Sequence, residues 1–163
     1  MIGMPNSKLL TIAVPAYNAA PYLHACLDSL VQSGDEVEVL VVNDGSKDDT
    51  LQVARDYAER YPNIVVAVDQ ENRNWGGAVN HALELASGTF FYIVDSDDWL
   101  DSAKLTEVVS RLRMLEEQQA GIDLYMVNYV YNRVENGDRH TISYQKLLPN
   151  DKVVGWDAMS NPS

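Results

Sequence analysis

Residues 89–101 read TFFYIVDSDDWLD, and the fold turns on how this stretch is read. Thr89 to Val94 is an unbroken apolar run of β-branched and aromatic residues, entered from Gly88. So short a run predicts a strand buried on both faces. It empties into Asp95-Ser96-Asp97-Asp98. Three carboxylates within four residues repel one another unless a cation sits among them. A hard divalent ion, Mg²⁺ or Mn²⁺, suits oxygen ligands of this kind. Alternation along an extended backbone lets Asp95 and Asp97 share one side. The plainer reading is a polar loop that caps the next helix, and Asp98 and Asp101 both fit that reading.

Working outward, strands and helices alternate. Leu9 to Val14 is an apolar strand that runs into Pro15-Ala16-Tyr17-Asn18, where proline is expected to stop the ladder and Asn18 to cap a helix. Pro21 suits the first turn of that helix, and Leu23, Cys26, Leu27, Leu30 and Val31 recur at helical spacing before Gly34. Val37 to Val42 is the second strand, followed by Asn43-Asp44-Gly45-Ser46. Ser46, Asp48 and Asp49 are candidate caps for a helix with its apolar stripe on Leu51, Ala54, Tyr57, Ala58 and Tyr61.

Asn63 to Val68 is the third strand, and Asp69 to Asn74 a polar loop holding Arg73. Trp75-Gly76-Gly77 opens the third helix, where small residues permit close approach by a backbone or a ligand. His81, within it, reads as a packing or surface residue. After the aspartate strand, Ser102 to Gln119 is an amphipathic helix with Leu105, Val108, Val109, Leu112 and Leu115 on one face, and Arg111, Arg113, Glu116 and Glu117 in solvent. Ile122 to Val134 is expected as a long strand, turning at Asn136-Gly137 into Arg139 to Tyr144. Beyond Gln145 the pattern dissolves.

This alternation implies an α/β fold with a mostly parallel sheet and right-handed crossovers. In the doubly wound arrangement the first and fourth strands are neighbours, and ligands bind at the carboxyl ends where the order reverses. Residues 15–18, Asp44, Arg73 and Asp95 to Asp97 would then gather at one edge. Each has a use if the ligand is a nucleoside diphosphate carrying a sugar. Tyr17 can stack on a base, and Asp44 can accept from a base N–H or a ribose hydroxyl. Arg73 can pair with phosphate. Asp95 and Asp97 can hold ribose and a metal that neutralises the diphosphate. Against this stand plainer roles: a turn at Asp44-Gly45, a packed Tyr17, a surface Arg73. No G-x-G-x-x-G follows the first strand and no Walker lysine loop is present, which excludes the usual dinucleotide oxidoreductase and P-loop signatures.

The totals fit. The 163 residues are enough for one domain, and the net charge of −12 argues against nucleic acid or an anionic membrane as the main partner. Cys26 is the only cysteine, so no internal disulfide can form, and it reads as packing. No stretch reaches membrane-span length, and residues 1–14 lack a signal-peptide pattern, so a cytoplasmic location is expected.

Three stretches, TIAVPAYNAAPYLHACLDSL, VEVLVVNDGSKDDT and ENRNWGGAVNHALELASGTFFYIVDSDDWLD, resemble the nucleotide-sugar half of the family 2 inverting glycosyltransferases over residues 8–120. The resemblance implies the GT-A fold, a Rossmann-like three-layer sandwich, as a single domain over 1–163, with 121–163 starting the acceptor side. It implies a nucleotide-diphosphate sugar as donor, UDP-sugar foremost, and a saccharide or lipid-linked acceptor, with Mg²⁺ or Mn²⁺ as cofactor, in cell-envelope polysaccharide synthesis. It places Pro15, Ala16 and Tyr17 at the base pocket and Asp44 at base or ribose, with Asn18 and Gly45 beside them among the nucleotide-sugar-binding residues. Arg73, Gly76, Gly77 and Asn80 lie on or beside the nucleotide. Asp95-Ser96-Asp97 is its DxD motif, with Asp97 the principal metal ligand and Asp95 beside it. The family's catalytic carboxylate and its Q-x-x-R-W type motif have no convincing match. Asp157 is the only late acid of interest, and its setting differs. The base is therefore expected beyond residue 163, in a longer enzyme. The alternative is a nucleotide-sugar binding module without catalysis.

Overall fold

The computed structural model describes residues 8–133, 137–144 and 152–155. It forms two compact units, Met1–Arg113 and Met114–Ser163. The first holds a parallel four-stranded sheet of β1 (Leu10–Ala16), β2 (Val37–Asp44), β3 (Val65–Gln70) and β4 (Phe90–Ile93), in the order β3-β2-β1-β4. Helices α1 (Ala20–Leu30), α2 (Thr50–Arg60) and α3 (Asn74–Leu85) alternate with the strands, and α4 (Ser102–Glu117) follows them.

The topology follows from handedness. The first two crossovers step one way, from β1 to β2 to β3. The third returns across β2 and β1 to reach β4. With right-handed crossovers, reversal puts α3 on the opposite face from α1 and α2. Ala78 and Ala82 of α3 accordingly pack on Ala13, Leu40 and Val42, with Val68, Phe91 and Ile93 around them. Small side chains let α3 lie close to the strands. The alternate residues Ile12, Val14, Val39 and Val41 face the other way and are fully buried, as are Leu23, Cys26, Leu27 and Leu30 of α1. Each such aliphatic side chain contributes about 1.5–3 kcal/mol by leaving water.

Several boundaries differ from those expected. Pro15 does not stop β1, which stays in register to Ala16 opposite Asn43. The carbonyls of Leu9 and Ala13 accept from Phe90 and Val94, so odd-numbered residues of β1 turn their backbone toward β4. Pro15 turns the same way, past the last β1–β4 pair at Ala13 and Ile93, where no ladder donor is required. β2 and β3 run two residues further than their apolar runs, because Asn43 pairs with Asp69 and Asp44 with Gln70. β4 is not buried on both faces: it pairs only with β1 among the described residues, and Tyr92 is 40% exposed.

The helix ends are likewise specific. Asn18 does not cap α1. It sits at φ 49°, and its Oδ1 accepts from the backbone N–H of Lys47 at 2.8 Å. Asp48 serves two helices at once: Oδ1 accepts from Thr50 N at 3.1 Å, and Oδ2 from Ala20 N at 3.2 Å. Asp101 caps α4 through Lys104 N at 3.0 Å. Arg113 is not simply solvated, since it pairs with Glu36 ahead of β2.

In the second unit β5 (Tyr129–Arg133) and β6 (Asp138–Ile142) form the expected antiparallel hairpin. β5 begins seven residues later than the apolar run suggested, since residues 122–128 form no strand. Asn136 of the turn, Trp156 and Asp157 lie outside the described residues.

A buried polar anchor holds the opposite end of the sheet from the strand carboxyl termini. Glu38 Oε1 accepts from Thr11 Oγ1 and from Ser87 N, each at 2.5 Å, and Thr11 Oγ1 accepts from Gly88 N at 2.9 Å. A Cβ on Gly88 would stand 2.5 Å from Thr11 N and 2.8 Å from the Leu10 carbonyl carbon. Backbone cannot yield cheaply, so Gly88→Ala is expected to lower unfolding free energy by about 1–3 kcal/mol in urea titration. An unchanged midpoint would contradict this packing.

Candidate functional site

All four strands are parallel, so their carboxyl ends open on one edge. Asp44 is the buried centre of that edge, 3% exposed. Its Oδ1 accepts from Gln70 Nε2 and from the backbone N–H of Arg73, each at 2.7 Å. Its main-chain carbonyl accepts from Asn72 Nδ2 at 2.9 Å. Oδ2 has no hydrogen-bond partner among the described residues. A carboxylate can accept about four such bonds. One oxygen is therefore filled by the protein and the other is left for an external donor.

The loop after β3 is folded down by this carboxylate. Gly45 lies beneath it at φ +69°, and a Cβ there would stand 2.8 Å from Asn72 N. Gly45 thus has a packing reason of its own. Arg73 contributes its backbone N–H to Asp44, while its side chain is exposed with no ion pair among the described residues.

α3 begins at this point and links Asp44 to the aspartate motif. Two residues after Arg73, the Trp75 indole N–H donates to Asp95 Oδ1 at 2.8 Å, with the ring 54% exposed. Trp75 carried no assignment from sequence; its place beside Gly76-Gly77 was the available signal. Gly76 and Asn80 are one turn apart on α3, and Asn80 is exposed. A Cβ on Gly76 would meet nothing within 4 Å, whereas one on Gly77 would collide with Arg73 Cβ. Gly77 is explained by packing, and Gly76 is not.

Tyr17 and Asn18 come from the end of β1. Tyr17 is 54% exposed, while Pro15 and Ala16 are buried in the strand. Asn18 N donates to Ser46 Oγ at 3.0 Å, and Ala19 N to Thr50 Oγ1 at 2.8 Å, so the loops after β1 and β2 form one floor. Asp48 in that floor is held below the usual carboxylate range. Desolvation opposes its charge, but hydrogen bonds from Thr50 and Ala20 outweigh it.

The aspartates make a tight turn, with Asp98 N donating to the Asp95 carbonyl at 2.9 Å. Asp95, Asp97 and Asp98 are exposed and Ser96 is half-buried. Asp98 is pushed above the usual range by burial, then by the charges of Asp97 and Asp95. That mutual repulsion is what a cation relieves, and oxygen donors suit Mg²⁺ or Mn²⁺. No cluster of three or more His, Cys, Asp or Glu arranged for a metal occurs among the described residues. An ion at Asp95 and Asp97 would be held by one or two carboxylates, with other oxygens filling its remaining positions, the usual mode for Mg²⁺. Cys26 lies under this turn, its Sγ 3.8 Å from the Asp95 carbonyl. Burial, then Asp98, Asp97 and Asp95, push its thiol up to about 12, so it stays protonated and serves as packing.

Pro15 to Asn18, Asp44, Gly45, Arg73 and Asp95 to Asp97 thus stand at one edge of the sheet, Gly76 and Gly77 follow in the first turn of α3, and Asn80 lies one turn further along that helix. Unanticipated were Gln70, Asn72 and Trp75, which orient Asp44, the loop after β3 and Asp95.

Comparison with known proteins agrees with this geometry. The family model described as glycosyl transferase family 2 matches residues 11–160. EpsH of Bacillus subtilis is 33% identical over 164 residues, covering 93% of this chain and 46% of that protein. Residues 1–349 of S. aureus TarS in complex with UDP-GlcNAc superpose with a TM-score of 0.60 at 30% identity, over 67% of this chain and 32% of that one. The mannosyltransferase PcManGT of Pyrobaculum calidifontis, in complex with GDP-Man and Mn²⁺, gives a TM-score of 0.56 at 30% identity, over 64% and 32%. The chain spans about half the length of EpsH and a third of the two solved chains. No helix among the described residues is long and apolar enough to cross a membrane. With its parallel sheet, its carboxylate edge and a family match along most of its length, the chain belongs to glycosyl transferase family 2.

Proposed function

We propose that residues 8–120 bind a nucleotide-diphosphate sugar, UDP-sugar foremost, and that 121–163 begin the acceptor side of a metal-dependent, inverting glycosyltransferase. The observation that carries this reading is the linkage of Asp44 to Asp95 through the first turn of α3. It spaces a base- or ribose-binding carboxylate from a metal- and ribose-binding one across a single exposed surface. UDP-GlcNAc in TarS, and GDP-Man with Mn²⁺ in PcManGT, support a donor of this class.

In this reading Tyr17, beside Pro15 and Ala16, stacks on the base, and Oδ2 of Asp44 accepts its N–H or a ribose hydroxyl. Asn18 and Gly45 shape the floor. Arg73, free at its guanidinium, faces the base or phosphate, with Gly76, Gly77 and Asn80 beside it. Trp75 fixes Asp95 so that its second oxygen meets ribose or metal, Ser96 keeps the turn, and Asp97 is the principal metal ligand. A bound Mg²⁺ or Mn²⁺ compensates the charge of the departing diphosphate. Attack by a saccharide or lipid-linked acceptor inverts the anomeric carbon, with a carboxylate base from a longer chain taking the proton. A cytoplasmic setting in cell-envelope polysaccharide synthesis accompanies this reading.

Calorimetric titration with UDP, GDP and dTDP, with and without Mn²⁺, tests it. One nucleotide is expected to bind in a metal-dependent way, weakened at least about tenfold by Asp97→Ala, roughly 1.4 kcal/mol. Absence of binding in a folded protein would contradict it. Binding without turnover in the full-length enzyme would favour a non-catalytic module. Gly76→Ala separates ligand approach from packing. Nothing fills the space there, so stability should hold or rise by about 0.5–1 kcal/mol while nucleotide affinity falls several-fold. Unchanged affinity would remove Gly76 from the site.

A further inference from the structure

His81 Nδ1 lies 2.7 Å from Gln70 Oε1, and Gln70 Nε2 lies 2.7 Å from Asp44 Oδ1. The polarity of this chain is fixed from one end. An ionised carboxylate only accepts, so Gln70 must turn its NH₂ toward Asp44. Its Oε1 then faces His81, and Nδ1 of His81 must carry a proton. Arg73 N fills the remaining position on Oδ1. We infer that His81 is a positioning residue for the donor site: by donating from Nδ1 it locks the Gln70 amide, which pins Asp44 with Oδ2 turned to the ligand. This rests on Asp44 being a nucleotide contact.

The arrangement has structural economy. Gln70 ends β3, Asp44 ends β2, and His81 lies on α3 one turn beyond Gly77. Three elements are tied at the point where the base or ribose is placed. Without the histidine donor, the Gln70 amide keeps its NH₂ toward Asp44 but loses its second anchor, Oε1 to His81, and is free to change rotamer. That freedom would loosen Asp44 and its hold on the Arg73 backbone. His81 acts through Gln70 and Asp44 and touches no reacting atom.

Two measurements test this on the existing chain. The first needs no ligand. ¹⁵N-histidine spectra in mildly alkaline buffer, with His81 identified by its loss in His81→Asn, should show the neutral ring protonated at Nδ1. Gln70→Leu, which removes the acceptor, should shift the ring toward the Nε2–H form. The second is nucleotide affinity with Mn²⁺. His81→Leu should weaken binding about three- to tenfold, the effect of one hydrogen bond. His81→Asn, whose amide N–H can occupy the place of Nδ1, should restore most of it. Asp44→Ala should lose more than either. A ring protonated at Nε2 overturns the proposal. So does His81→Leu binding as tightly as wild type while Asp44→Ala fails, and Asp44 then keeps its assignment. Unchanged binding in both His81→Leu and Asp44→Ala, or none in wild type, overturns the donor-site reading as well.

Discussion

The parallel pairing of β1 with β4 is the constraint on which the rest of the molecule depends. Leu10 to Ala13 of β1 lie opposite Phe90 to Ile93, so the chain crosses back over two strands after β3 to form this pair. That return puts α3 on the face of the sheet opposite α1 and α2. It also brings the start of α3 between the ends of β2 and β4. From there the Arg73 N–H reaches Asp44 and the Trp75 indole reaches Asp95. The pair is anchored at its far end by Gly88 against Thr11 and by the buried Glu38.

The site concentrates negative charge in a chain already at −12. Asp44 tolerates burial because hydrogen bonds from Gln70 and Arg73 replace the water it loses. The aspartates after β4 remain exposed, and Asp98 is raised by desolvation first and then by the charges of Asp97 and Asp95. These are two solutions to one electrostatic problem. The first yields a carboxylate with one oxygen held by Gln70 and Arg73 and the other open. The second leaves exposed carboxylates whose mutual repulsion a bound cation would relieve.

The order of elements in the first unit was legible because each strand of the parallel sheet carries an apolar run and the helices between them are amphipathic. The carboxylate edge followed from that order. What sequence periodicity could not show is how polar residues complete a strand. Asn43, Asp44, Asp69 and Gln70 belong to the ladder because they bond across it, with Asn43 Nδ2 on Asp69 at 2.7 Å. Pro15 stays in β1 because its missing N–H faces beyond the end of β4, a fact of topology. The full burial expected of residues 89–94 failed because β4 lies at the edge of the sheet among the described residues. Trp75 and Gln70 went unassigned, and His81 read as packing or surface, because their partners lie 11 to 26 positions away.

The most direct test of a donor site at this edge is paramagnetic mapping. Backbone amide spectra would be recorded with nucleotide and Mg²⁺, then with trace Mn²⁺ replacing it. Mn²⁺ is expected to broaden amides around Asp95 to Asp98 most strongly, then those of Arg73 to Gly77, and to leave Glu38, Ser87 and Gly88 sharp. Broadening centred on the hairpin Tyr129–Ile142, or spread evenly over the acidic surface, would contradict the account.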